Sequence, residues 1–295
     1  MIRYDTDAAK LLAAITAIDA KWETKTKART KKFIKAGAFA EKSSLWSTVK
    51  PVYMRLQWFK CVFCERQFEN ERYGKIEFDV EHFRPKSSVL AWPSETVHPD
   101  LAYDFATGAA SASGYYWLAY DVENYAASCK ACNSALKSNY FPIAGDRGAT
   151  LATVAALAAE EPYLCYPLGD GDDDPEDLLT FVATTATPKA ADGHARRRGQ
   201  VMIDFFDLNG RDLLHRQRAQ MISMFGGALA AVHAGTASPT DEKVVAGMSS
   251  PALPHASCVR AFRSLYDADP DEGQRVFERC REVALSQTMS APPDL

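Results

Sequence analysis

The stretch SCKACNSALKSNYF, residues 128–141, sets Cys129 and Cys132 three apart, follows them at once with Asn133, and places Lys137 four residues further on. Two thiols at this spacing are half of a metal site. The chain carries a second half in KCVFCERQF, residues 60–68, where Cys61 and Cys64 repeat the spacing. In a reducing compartment such pairs mean metal or redox chemistry, with buried unligated thiols as the plain alternative. A redox pair calls for a single CxxC in a strand–helix–strand setting, and the flanks offer none. Four soft thiolates suit tetrahedral Zn²⁺, so Cys61, Cys64, Cys129 and Cys132 are expected to share one structural zinc ion. Cys165, Cys258 and Cys280 lack partners at ligand spacing and read as small core residues.

The zinc pins 61–64 to 129–132, so the chemistry is sought between them. GKIEFDVEHFRPKS (74–87) alternates, with Ile76, Phe78 and Val80 on one side and Glu77, Asp79 and Glu81 on the other. That predicts a half-buried strand stopped by Pro85. Tyr125 to Ser128 reads as a short second strand, and a helix is expected from Ala131 to Ser138. Further out, Leu11, Ile15, Ile18 and Trp22 recur at helical steps over 6–24, the basic run 25–35 continues or follows that helix, and 46–59 is a second helical stretch.

The expected fold class is therefore α+β and mostly α-helical, around a small core with a four-cysteine zinc site. Its parts are an N-terminal basic helical segment (1–59), the core (60–145) with an inserted loop at 86–114, an acidic, turn-rich connector (146–195) and a C-terminal helical region (196–295). In the last, RRRGQVMIDFFDL, RDLLHRQRAQMISMF, CVRAFRSLYDA and a stretch near 271–288 read as helices, with Asn209–Gly210 a stop between the first two.

The 295 residues carry a formal net charge of −4, unevenly spread. Residues 1–60 hold 13 Lys/Arg against 5 Asp/Glu, while 160–177 hold eight acids and no base. The basic segment can meet phosphates despite the negative total, or can simply be a solvated helix face. No apolar run approaches the ~18 residues of a membrane span. MIRYDTDAAK has acids where a signal peptide needs an apolar core, so a cytoplasmic protein is expected. No GxxxxGK phosphate loop occurs.

A phosphodiester hydrolase needs a base for water, a hard divalent cation with oxygen ligands, and positive charge for the phosphate. His82 is the candidate base, Glu81 and the Asn133 side-chain oxygen the candidate ligands of the catalytic cation, and Arg84 or Lys137 the phosphate contacts. Adjacent strand residues point to opposite faces. Glu81 and His82 can share a site only if the strand ends or bulges there.

CVFC, VEHFRPKS and YYWLAYDVENYAASCKACNSALKSNYFP together resemble an HNH endonuclease with a zinc-bound ββα-metal core. More narrowly, they resemble the HNH subunit of Septu-type phage-defence systems, the PtuB-like nucleases. EPYLCYPLGDGDDDPEDLLTF and FFDLNGRDLLHRQR look like that group's downstream segments, so the likeness runs over about 25–220. It implies that the family's three named positions fall on His82, Asn124 and Asn133, with asparagine in place of the final histidine. Glu81 becomes a ligand of a catalytic Mg²⁺ or Mn²⁺, and Asn124 holds the loop that carries the base. The zinc is purely structural. The resemblance further implies a nuclease effector of anti-phage defence that cuts DNA; RNA, tRNA included, is the open alternative, since nothing in a single-metal hydrolytic site excludes a ribose. An ATPase partner would be supplied in trans, with the C-terminal helices as its docking site. A non-catalytic, zinc-stapled nucleic-acid-binding or adaptor protein is the reading from another class.

Overall fold

A computed structural model of the chain describes residues 1–41 and 43–289, so the last six residues of the expected C-terminal region lie outside the described residues. The helix expected over 6–24 is two helices, α1 (Ala8–Ile18) and α2 (Trp22–Ala36). Asp19 makes the break: its backbone is extended, and its carboxylate accepts the Lys21 N–H at 2.9 Å. Leu11, Ile15 and Trp22 are buried as the periodicity predicts, but Ile18, beside the break, is exposed. α3 (Trp46–Leu56) follows and packs on the central hairpin.

The predicted strand is shorter than its alternation. Asn70 accepts the Arg72 and Tyr73 N–H groups and starts α4 (Glu71–Glu77), which absorbs the first half of the pattern and leaves Ile76 70% exposed. Capping at this point overrides the period-two signal. β1 (Phe78–His82) pairs antiparallel with β2 (Tyr125–Cys129), from Phe78 opposite Cys129 to His82 opposite Tyr125. No third strand among the described residues joins this sheet, so the outer edge of β1 stays open. β2 feeds directly into the knuckle helix (Ala131–Lys137). Its turns are of the wide π type, closed by the Ser138 N–H on the Asn133 carbonyl at 2.7 Å. Such turns are rare and cluster at functional sites.

Residues 86–114 form no helix or strand. They are pinned by pairings of Val89 with Ser111 and of Leu90 with Tyr140. The connector holds elements that the turn-rich composition hid: α5 (Pro175–Leu178) and a hairpin of β3 (Leu179–Val182) and β4 (Thr185–Pro188). Then come α6 (Gly193–Phe205), α7 (Asp212–His233), α8 (Pro239–Gly247), α9 (Ala256–Ala268) and α10 (Pro270–Met289). α8 was not anticipated, although Ser238 and Asp241 form a reciprocal capping box at its start.

Two apolar cores result. The larger surrounds the β1–β2 hairpin and takes in α1 to α3, α6 and Leu214 at the head of α7. The smaller lies among α7 to α10, from Ala219 to Cys280. Packing thus changes partners within α7. Among the described residues no helix is long and apolar enough to cross a membrane.

Candidate functional site

The hairpin carries a different donor set at each end. At one end Cys61, Cys64, Cys129 and Cys132 are all buried, and their sulfurs lie within 4.8 Å of one another. A tetrahedral zinc with Zn–S bonds of ~2.3 Å sets sulfurs about 3.8 Å apart. Cys64 and Cys129 stand at 3.9 Å. Backbone N–H groups already face the sulfurs: Cys129 N–H donates to Cys61 Sγ and Cys132 N–H to Cys129 Sγ, both at 3.4 Å. Arg211 donates to Cys132 Sγ at 3.3 Å and supplies positive charge beside four thiolates. Donor type, spacing and charge all fit a zinc ion, and the cluster can hold one. No solvent-facing position remains, the mark of a structural rather than a catalytic site.

At the other end a polar cleft of about 370 Å³ follows the open edge of β1. Glu81, His82 and Asn133 all line it. The anticipated conflict between neighbouring strand residues resolves at this edge. Glu81 turns to the knuckle helix and His82 to α3, and the cleft runs past both.

His82 is 6% exposed and wedged edge-on between the rings of Trp46 and Tyr125, at 4.8 and 5.0 Å. Its Nε2 lies 3.1 Å from the Ala119 carbonyl. A carbonyl only accepts, so Nε2 carries the proton and Nδ1 keeps its lone pair. Burial, followed by the charge of Lys86, holds the imidazole pKa well below its ordinary value, so the ring is neutral near pH 7. Lys86 Nζ stands 3.5 Å from Nδ1.

Asn124 fixes the surroundings of the ring. Its Nδ2 donates to the Leu118 and Arg84 carbonyls at 3.1 and 3.0 Å, and its Oδ1 accepts the Arg84 N–H at 2.7 Å. One amide therefore ties the segment after His82 to the turn that offers Ala119.

The two residues expected to meet phosphate lie elsewhere. Lys137 is fully buried, 2.7 Å from Glu81 Oε1 and 3.0 Å from the His82 carbonyl. It braces the carboxylate from beneath the cleft. Burial raises the Glu81 pKa although Lys137 pulls the other way. The Arg84 guanidinium is 3.2 Å from Glu160, 2.9 Å from the Leu157 carbonyl and 4.8 Å from the Phe141 ring centroid, outside the cleft. The strand end turns it into the larger core instead.

The chain is similar to Septu proteins. It is 32% identical to Septu protein PtuB of Bacillus mycoides (strain KBAB4) over 154 residues, which is 52% of this chain and 44% of that protein. It is 27% identical to Septu protein PtuA of the same organism over 166 residues, 56% of this chain and 20% of that protein. The chain thus spans less than half the length of either relative. No family model and no solved structure matches it.

Sequence reasoning missed three contributors. Trp46 reads as an ordinary apolar helix residue, yet its ring packs edge-on against His82 and lines the cleft. Arg211 reaches Cys132 across 79 positions with no local signal. Lys86 lies inside VEHFRPKS, yet nothing local in that stretch assigns it a part.

Proposed function

We propose that this chain is an HNH-type endonuclease that hydrolyses phosphodiester bonds in DNA as the nuclease effector of a Septu-type anti-phage defence system. The observation that carries the reading is the orientation of His82. Its protonated Nε2 is tied to Ala119, which leaves the Nδ1 lone pair free of the backbone, on the side of Lys86 and in a residue that lines the same cleft as Glu81 and Asn133. Nδ1 takes a proton from water as the water oxygen bonds to phosphorus. The P–O bond to the leaving sugar oxygen breaks, and that oxygen departs with a proton from solvent. Glu81 and the Asn133 amide oxygen are hard donors suited to Mg²⁺ or Mn²⁺, which when bound would stabilise the developing negative charge. Asn124 positions the base, and Lys137 keeps Glu81 oriented. The likeness to both PtuA and PtuB supports a system of more than one component. The residues present hold no GxxxxGK loop, so this reading takes an ATPase as a partner, with α7 to α10 as its docking face and the cytoplasm as the place of action.

His82→Ala should lower cleavage by about 10²–10⁴-fold, while zinc content and the circular dichroism spectrum persist. Plasmid DNA and total RNA, assayed side by side with Mg²⁺, decide the substrate. Parental cutting by the variant would remove His82 from the role of base. A wild-type protein that binds zinc yet turns over neither substrate would be a zinc-stapled adaptor.

A further inference from the structure

A phosphodiesterase cleft needs a cation that can reach the phosphate, and both residues expected to supply it are engaged below or outside the cleft. Lys86 is placed differently. It lines the cleft and is partly exposed. Its ammonium stands 3.5 Å from Nδ1 of His82 and lies over the rings of Trp46 and Phe39, at 4.8 and 5.4 Å from their centroids. No carboxylate among the described residues forms an ion pair with it. Its direct contacts are two aromatic faces and one long hydrogen bond, and the Glu81 carboxylate attracts it from beyond ion-pair distance. A single cation–π contact is weaker than a charge-assisted hydrogen bond, and the contact to Nδ1 is long, so a phosphate oxygen can compete for this ammonium.

The backbone beneath it is fixed. Gly114 has φ +55, and a Cβ built there would meet the Pro85 carbonyl at 2.6 Å and the Ser88 nitrogen at 2.7 Å. The Tyr115 N–H donates to the Pro85 carbonyl at 2.8 Å. The turn bearing Lys86 thus sits directly on the Gly114 backbone, and what can move is the side chain.

We propose that Lys86 is the phosphate-binding residue of the cleft and that its side chain guards the base, an inference that rests on the nuclease reading above. In the free protein its ammonium stands at the approach to Nδ1, where the attacking water must sit. An incoming phosphate draws the ammonium off the imidazole and the aromatic faces. The same movement exposes the lone pair and places positive charge on the substrate.

The test uses wild type, Lys86→Met and Lys86→Arg with a short DNA duplex. Binding is followed by fluorescence anisotropy across a salt series, with Ca²⁺ in place of Mg²⁺, and cleavage is measured separately with Mg²⁺. Lys86→Met should reduce the slope of log Kd against log salt by about 1, the signature of one lost phosphate contact. Its cleavage should fall about 10²-fold, and Lys86→Arg should keep the slope and most of the rate. If Lys86→Met cuts and binds like wild type, the inference fails and the nuclease reading stands. If both variants melt early and stop cutting with the salt slope unchanged, Lys86 is a strut and the inference again fails. A wild type that binds DNA without cutting removes the nuclease reading, and the slope still decides whether Lys86 meets phosphate. A wild type that neither binds nor cuts removes both.

Discussion

At the Cys129 end of the β1–β2 hairpin, four sulfurs close on one another in a dry pocket. At the His82 end, an imidazole, a carboxylate and an amide border a polar cleft. A ladder of five residue pairs separates the two. Soft donors sealed from water make a site whose binding energy goes into folding. Hard donors on an open strand edge make a site with room for a substrate. The ends differ in the chemistry of the donors and in their access to water, and those two properties separate a sealed strut from a cleft that is open to a ligand.

The most forceful way to break this contrast is to attack the closed end. Cys132→Ser, or a strong chelator, should strip the site and unfold the hairpin, because zinc contributes roughly 10–16 kcal/mol of apparent free energy in comparable small sites. Metal analysis and a denaturant titration read the result. A zinc-free protein with an unchanged unfolding midpoint would end the structural assignment.

Attacking the open end should cost less stability and should show which ion matters. Lys137→Met leaves Glu81 buried without its counter-charge, which destabilises by about 3–5 kcal/mol. Urea unfolding of the variant should recover part of that loss when Mg²⁺ is added, since a divalent cation can replace the missing charge. Recovery with Zn²⁺ but not Mg²⁺, or no recovery at all, would contradict a hard-cation site at Glu81.

A smaller effect separates the hairpin from the helices behind it. His255 is buried at the start of α9, and burial, helped by Arg218 and Lys60 against the opposing pull of Glu65, lowers its pKa to about 3. The unfolded chain takes up this proton near pH 6.5 and the folded protein does not. Stability therefore declines as the pH falls from about 6.5 towards 3, and is level above that window. Between about pH 6.5 and 5 the linkage is worth about 2 kcal/mol. His255→Gln should flatten that part of the profile relative to wild type, whatever the metal sites do. An unchanged slope would mean that other groups carry the acid sensitivity.

The donor sets were legible because ligand spacing is local and chemically loud. Two CxxC pairs imply a shared ion before any fold is known, and the described sulfurs are indeed gathered. The strand start was not legible, because Asn70 begins a helix whose residues also alternate. Nor was the fate of Arg84 and Lys137. Both sit next to the right motifs, but whether a long cationic side chain reaches into a cleft or under it depends on distant partners such as Glu160. The β3–β4 hairpin hid in a segment whose Asp, Gly and Pro content reads as turns. Asn133 and Glu81 could be guessed as neighbours, but the open edge that lets Glu81 and His82 share one cleft comes from the absence of a third strand among the described residues.

Asn124 has a consequence for how this architecture can vary. By grasping both Arg84 and Leu118, a single side chain clamps the two stems of everything between them. The exposed tip of the excursion, around Val97, can lengthen or acquire a new contact surface while the imidazole keeps its bearing, whereas Val89 and Trp92 belong to the larger core. Diversification of this chain, natural or engineered, has a ready graft point there, provided that the Pro85–Ser88 turn and Gly114 beneath it are left in place.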